Sequence, residues 1–541
     1  SNYPFESNQI RLNEALGATQ VEALYTENSS RIGSRVESNH FRDLLRSLKK
    51  PALNRFKKNP LVHHETFWAE QPALLFALSL LIGTSSFLYW QTPWNWIWPI
   101  FWGIYLICLR LWAPILLIFT GIGYSWCMAA DIPAIEKGYF TISLLKPHVS
   151  PFEKGLMYKG ILYVDGQRVP CSVHHSDTKD RPKANCDYIL FGKAIQKSPY
   201  ECHFKAKKWV PVENSWSLAE YRFQMKEDFR KFLDQKLKRP RVASLLGSLI
   251  TGDIEDRSLR YEFGKVGLQH LLAISGFHFA ILMAFCSFFL GLFLPHKPKN
   301  IVLLLAISAY FFFVGPVPAV QRSWLTAMFY LIGKWIGRHA SGLNLLGTAL
   351  LIEIILDPLV SAQLGFQLSF LSCAGILLFL PIFKPWVENQ LPKEVPQKLN
   401  RWAQHGYLAT SFFREGIVIA LSVNTAILPL ILYHFHSFPL LSLLYNLFFP
   451  LLLSLALFIL LIAFLAEAIF PPLATVFFTI TDFFTKELLD IASYPPVSLD
   501  YFIRVIDFPP WIIPVYLFSL FSISLTKRRF FLTNTSYFSK I

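Results

Sequence analysis

Apolar runs separated by short polar turns fill most of this chain, and they fall into two blocks. The first holds runs at about 72 to 90, 95 to 109 and 111 to 130. The second holds runs at about 267 to 294, 301 to 314, 323 to 336, 342 to 357, 361 to 382, 416 to 433, 438 to 469, 471 to 489 and 510 to 526. Runs of this kind predict a polytopic α-helical membrane protein with about twelve transmembrane helices. Several are under 18 residues, and Pro450 interrupts the 438 to 469 run. Short or broken spans suit helices that line a cavity.

Between the blocks the pattern changes twice. Residues 131–212 lose the long apolar runs and read as short strands with turns, as in GILYVDGQRVPCSVHH, where Asp165-Gly166 is a hairpin signal. A small β-barrel is the natural class. Residues 213–262 read as amphipathic linker helix (EYRFQMKEDFRKFLDQKL) followed by LLGSLITGD. Asp253 and Arg257 are four apart, as are Asp256 and Arg260. That spacing predicts surface ion pairs on a helix, with a gate or lining role as the alternative. Residues 1–66 are polar, with a basic block of Arg42, Arg46, Lys49, Lys50, Arg55, Lys57 and Lys58. Such a block before a first span predicts a cytoplasmic N-terminus resting on anionic lipid, or a protein-docking arm.

Charge sharpens this topology. With three spans in the first block, the β domain lies outside the cytoplasm. The loops at His296/Lys297/Lys299, at Arg338/His339 and at Lys384 to Arg414, and the tail Lys527-Arg528-Arg529, then all fall inside. Residues 527–541 form a basic cytoplasmic tail. Composition agrees with a membrane protein: 53% of residues are hydrophobic, with 50 Phe and 15 Trp. The net charge of +15 suits anionic lipid headgroups, a polyanionic substrate, or both. Between Asp131 and Pro240, 20 Lys/Arg face 13 Asp/Glu, a local excess of seven positive charges. Within it lie Lys205, Lys207, Lys208 and Trp209, which read either as a solvated face or as an outer-domain contact for a phosphate backbone and its bases. Of seven cysteines, Cys108, Cys127, Cys286 and Cys373 sit in apolar runs as small hydrophobes. Cys171, Cys186 and Cys202 share the polar region and permit one disulfide of unassigned pairing in an oxidising compartment.

Polar residues at membrane depth need a reason. The stretch GLQHLLAISGFH places His270, Ser275, Gly276 and His278 at the head of an apolar run. On a helix Ser275 and His278 share a face, while Gly276 lets another backbone come close. Arg322 follows the GPVPAVQ turn and either snorkels to the outer interface or faces a pore and grips phosphates, with Glu353 and Asp357 as intramembrane partners. In GFQLSF, Gly365, Ser369 and Cys373 recur every fourth residue as a small-residue packing ridge. Gln367, Asn424 and Asn446 either bond across helices or line a wet path.

GLQHLLAISGFH resembles the signature of the ComEC competence family, the inner-membrane channel for DNA uptake in natural transformation. LLGSLITGDIEDRSL upstream resembles the family's approach to that signature. PAVQRSWLTAM, NLLGTALLIEIILDP, GFQLSF, TAILPL and LLYNLFFPLLLSL follow in the family's order. The resemblance implies three N-terminal spans over 67–130, an extracytoplasmic OB-like β domain over 131–212 and a competence-type channel domain over 263–526. It also implies single-stranded DNA as substrate, crossing by a path for which Asp253, Arg257, His270, Ser275, Gly276, His278, Arg322, Gln367, Asn424 and Asn446 are candidates. Many relatives carry a metallo-β-lactamase-like nuclease marked by HxHxDH; that motif does not occur here, nor does a Walker-type loop. The expectation is therefore a non-enzymatic form with no metal or cofactor. Its partners are membrane lipids, receptor, motor or cytoplasmic DNA-binding proteins, and a separate nuclease if one strand is degraded. Two other readings stay open: a small-solute or nucleoside transporter, and an intramembrane hydrolase with Ser275 as nucleophile and His278 or His270 as base.

Overall fold

The computed structural model describes residues 60–88, 96–128, 137–148, 156–164, 167–175, 182–198, 200–212, 217–254, 256–272, 276–338, 341–391, 401–494 and 502–538. The basic N-terminal block, the Asp165-Gly166 turn and Ser275 lie outside these residues. The chain divides into two units, Ser1–Phe67 and Trp68–Ile541. The helix Pro60–Glu70 (α1) spans the division, and every other element among the described residues belongs to the second unit.

The first apolar block folds as Pro72–Leu88 (α2), Ile97–Cys108 (α3) and Ala113–Cys127 (α4). Trp102 Nε1 donates to Ser79 Oγ at 2.9 Å, satisfying a buried indole between α3 and α2. The strands that follow are β1 (Lys137–His148), β2 (Leu156–Val164), β3 (Gln167–His175), β4 (Asp187–Ser198) and β5 (Glu201–Pro211). They close into a barrel in the order β1-β2-β3-β5-β4. All pairs are antiparallel except β3 with β5, which is parallel.

Period-two alternation fills this barrel. Phe140, Leu162, Val173, Leu190 and Phe204 point inward and are fully buried. Cys171, Cys186 and Cys202 join the same core, with Cys171 opposite Cys202 in the parallel pair. Trp209 is opposite Leu190, on the inward side, and its indole meets Phe140, Tyr158 and Tyr188 edge to face at 5.5 to 6.0 Å. The β5 register steps from Lys208↔Phe191 to Ala206↔Gly192, so Lys207 is the extra residue of a bulge. A bulge re-aims side chains, which is why Lys207 and Lys208 are exposed in succession.

The linker helix Leu218–Lys236 (α5) starts at Ser217, whose hydroxyl accepts from the Ala219 and Glu220 amides. It is pinned at both ends. Glu220 accepts from the Ala184 amide of the barrel region at 2.8 Å. Further along the helix, Arg222, Lys226 and Arg230 form a cationic ladder at four-residue spacing. Arg222 donates to the Phe312 carbonyl, while Lys226 donates to the Val314 carbonyl and to Asp253, both at 2.8 Å. Those carbonyls end the helix His296–Val314 (α10), where a cation is favoured by the exposed C=O groups. Tyr200, in the β4–β5 turn, donates to the Ser125 carbonyl of α4 at 3.2 Å; burial pushes its hydroxyl up to about 12, so it stays a donor at neutral pH.

The single helix face expected for Asp253–Arg257 and Asp256–Arg260 is broken, and Asp256 and Arg260 form no ion pair; the Arg257 side chain lies outside the described residues. Pro240–Thr251 (α6) ends at Gly252, in the left-handed region at φ 79°. Asp256 instead caps the next helix, Arg257–Lys265 (α7), accepting from the Ser258 and Leu259 amides. Asp253 lies in the break between the helices and pairs with Lys226. For Asp256, a helix cap outcompetes a weak surface pair.

The second block holds Gln269–Leu272 (α8), Gly276–Phe293 (α9), α10, Pro318–Ile336 (α11), Gly342–Leu356 (α12), Leu364–Gln390 (α13), Arg401–Phe435 (α14), Leu441–Ile469 (α15), Pro471–Ser493 (α16) and Ile512–Phe538 (α17). α13 pairs with α14, and α15 with α16. Among the described residues, four stretches are long and apolar enough to cross a membrane: Lys297–Val314, Leu364–Gln390, Thr410–Phe435 and Leu441–Ile469. Shorter apolar helices are Ile97–Cys108, Ala113–Cys127, His278–Phe293, Gly342–Leu356 and Ile512–Thr526. The expected spans at 323–336 and 471–489 fold as α11 and α16, neither of which is among these helices. In α16, the buried Asp482 pairs with Arg239 and accepts from the Arg239 amide at the start of α6. Pro450 stays within α15.

Candidate functional site

Arg322 lies just over one turn into α11, whose start is set by Pro318 at its first position. It is 7% exposed, so the guanidinium must find its partners inside the protein. Nε donates to Ser369 Oγ and Nη1 to Cys373 Sγ, each at 2.8 Å; Nη2 reaches Ser323 Oγ at 3.4 Å. The guanidinium carbon sits 5.9 Å from the centre of the Phe370 ring. Ser369 and Cys373, one turn apart, put two acceptors on one stripe of α13, so the ridge expected to pack helices also holds the cation.

Gly276, the first residue of α9, closes the other side. A Cβ there would lie 2.9 Å from Arg322 Nη2 and 3.0 Å from Ser323 Oγ. Only a residue without a side chain fits beside the seated arginine. Three sequence stretches, SGFH, VQRSW and GFQLSF, thus converge on one buried charge.

Glu353 lies on α12, 2% exposed, with neither carboxylate oxygen hydrogen-bonded. It feels the charge of Arg322, yet no ion pair joins the two, because the guanidinium is turned toward α13. Asp357 accepts from the Leu359 amide at 2.9 Å and caps the 3-10 turn Pro358–Ala362 instead. The expected partnership with Arg322 is therefore electrostatic for Glu353 and absent for Asp357.

The remaining candidates scatter. His278 is buried near the head of α9, and His270 is exposed on α8 within electrostatic reach of it. Gly267, at φ +73°, seats the signature against Pro439 and Ser442 at the start of α15. Gln367 donates to the Ser361 carbonyl, in the 3-10 turn just before its own helix, at 2.9 Å, and Asn424 donates to the Ala420 carbonyl of its own helix. Asn446 keeps a buried, unpaired Oδ1. Asp253 belongs to the α5 ladder, away from these helix heads, and of Arg257 only the backbone is described. Among the described residues no three His, Cys, Asp or Glu side chains gather as a metal requires.

On the barrel, Lys205, Lys207 and Lys208 are exposed while Trp209 is half-buried among core aromatics. The strands add three neighbours that the sequence reading missed: Lys137, Phe191 and Lys193. Alternation along β4 was the available signal, since Phe191, Lys193 and Ile195 share its outward face. Lys226 was missed as well, although the Arg222-Lys226-Arg230 spacing marks one stripe.

A family model described as Competence protein matches residues 249–530. ComE operon protein 3 of Bacillus subtilis is 30% identical over 210 residues, which are 38% of this chain and 24% of that protein. This match therefore covers about a quarter of that relative. No solved structure matches. The family match takes in the signature, Arg322 and its α13 cradle across just over half of the 541 residues, and the chain belongs to the ComEC competence family of membrane proteins.

Proposed function

We propose that this protein conducts single-stranded DNA across the inner membrane during natural transformation. The observation that carries the reading is Arg322: a buried cation held only by neutral side chains, where three family stretches meet. A charge kept at membrane depth without an ion-pair partner is available to a passing anion. Serine and cysteine acceptors release a guanidinium more readily than a carboxylate would, so the grip on each phosphate is brief, as conduction requires.

The β3–β5 parallel pair and the strand order support an OB-like assignment for the barrel, a class that often binds single strands. We place it outside the cytoplasm with both termini inside, and count about twelve spans from the four long and five shorter apolar helices together with α2, α11 and α16. The chain acts as a conduit rather than an enzyme, with partner proteins supplying DNA capture, drive and any strand degradation.

The test expresses this chain in a transformable bacterium deleted for its own channel and follows labelled DNA and transformant counts. Entry of DNA into the cytoplasm is expected, and its loss in an Arg322→Met variant of equal abundance. DNA held outside the membrane despite correct insertion would overturn conduction; uptake of free nucleosides instead would install the solute-transporter reading.

A further inference from the structure

The outer face of β1, β4 and β5 carries an arrangement that folding alone does not explain. Lys137, Phe191 and Lys208 stand in one cross-strand row, because Phe191 pairs with Lys137 on one side and Lys208 on the other. Along the same strands toward the β4–β5 turn, Lys193 pairs directly with Lys205. All five side chains are exposed, and Lys207 of the bulge adds a sixth. None of the five lysines is in an ion pair among the described residues.

Like charges directly opposite each other weaken a strand pair. Lys193 and Lys205 therefore oppose barrel formation, and no ion pair among the described residues offsets them. Between the cations stands Phe191, with Lys137 Nζ 5.3 Å from its ring centre. Same-face positions along a strand recur about every 7 Å. The face is thus a ladder of positive charge with an aromatic ring in its midst.

We propose that this β1–β4–β5 face is the platform on which the barrel holds single-stranded DNA, the lysines taking phosphates and Phe191 stacking on a base. This deepens the DNA-conduction reading and rests on it. A membrane surface is the competing occupant for a basic, aromatic face. It fits less well, because pressing Phe191 into hydrocarbon would drag Lys137 and Lys208, in the same row, with it. A polyanion with flat bases satisfies both features at once.

The experiment uses the full chain in nanodiscs and a fluorescein-labelled oligothymidine, titrated at several salt concentrations. Five lysine–phosphate contacts on a single strand give a log–log salt slope of about −3.5, and Lys193→Ala with Lys205→Ala should flatten it by about 1.4. The same double variant should melt no lower than the parent, since it removes a repulsion; a structural role for the lysines would lower it. Phe191→Ala should weaken binding about tenfold. Lys159→Ala with Arg168→Ala, exposed on β2 and β3, serves as the control and should leave the slope unchanged.

Parental binding by the Lys193/Lys205 variant overturns the platform, as does loss of binding in the β2–β3 control. A face whose variants keep DNA binding but no longer distinguish anionic from neutral nanodiscs is a membrane surface, which also overturns it. Each of these results leaves conduction intact if transformants still depend on Arg322. A parent chain that neither binds the oligothymidine nor restores transformants overturns both.

Discussion

Replacing Arg322 by Met should separate stability from transport. The change removes two short charge-assisted bonds, to Ser369 and Cys373, worth about 3 to 6 kcal/mol together. It also removes the cost of a cation at membrane depth, roughly 3 kcal/mol on insertion scales. The difference is a net loss of about 0 to 3 kcal/mol. Ser369 can turn its hydroxyl to its own helix backbone, as serines in helices do, so no charged orphan remains on α13. The unbranched methionine fills the space against Phe370.

The variant should therefore unfold within about 3 kcal/mol of the parent, a shift of a few degrees at most. Transport should fall far more. If the guanidinium contributes two contacts to a passing phosphate, their loss costs about a hundredfold in uptake. Thermal unfolding of the purified chain gives the first quantity and transformant counts at matched abundance give the second. Parental transformation by the Met variant would refute the reasoning, because Arg322 would then be a packing residue. So would destabilisation beyond about 4 kcal/mol, the mark of a broken buried ion pair.

Gly276→Ala should cost about 1 to 3 kcal/mol and reduce uptake, since a Cβ meets Arg322 and Ser323 near 3 Å; with Arg322→Met in the background the penalty should shrink, which thermal unfolding of the double variant checks. Lys226→Met should destabilise by about 2 kcal/mol, because Asp253 loses its 2.8 Å cation while the Arg230 contact is longer, at 3.8 Å; a melting curve no lower than the parent's would count against the α5 ladder. Burial raises the Glu262 carboxyl, but hydrogen bonds from Ser493, Ser258 and Arg241 outweigh it and hold the group below its ordinary value. Its contribution is therefore full above the ordinary carboxylate range and is lost as pH falls through the lowered folded value. Glu262→Gln should flatten the acid side of the stability profile between about pH 5 and 3. Ser275→Ala should leave most uptake intact; near-complete loss would revive the hydrolase reading.

Much of this protein was legible in its residue pattern. Apolar runs fixed where helices form, because hydrocarbon leaves a backbone few other choices. Alternation in GILYVDGQRVPCSVHH announced strands. The ordered stretches from LLGSLITGD to LLYNLFFPLLLSL were enough to suggest the family. Each of these signals is short-range, so sequence carries it whole.

What the tertiary structure decided are the partners. Arg322 had acidic candidates at Glu353 and Asp357, yet its donors go to Ser369 and Cys373, because helix packing turned the guanidinium toward α13 and gave Asp357 a turn to cap. Asp253 and Arg257 looked like one helix face until Gly252 and Asp256 ended one helix and started another. Trp209 read as a surface aromatic beside lysines, but the β5 register turns it inward and lets a bulge expose Lys207 and Lys208. The lysine–phenylalanine face exists only through strand pairing, which joins residues about 70 positions apart that no local pattern connects. Spacing along the chain sets what each segment becomes; which side chains meet depends on register and packing between segments, and those are properties of the whole fold.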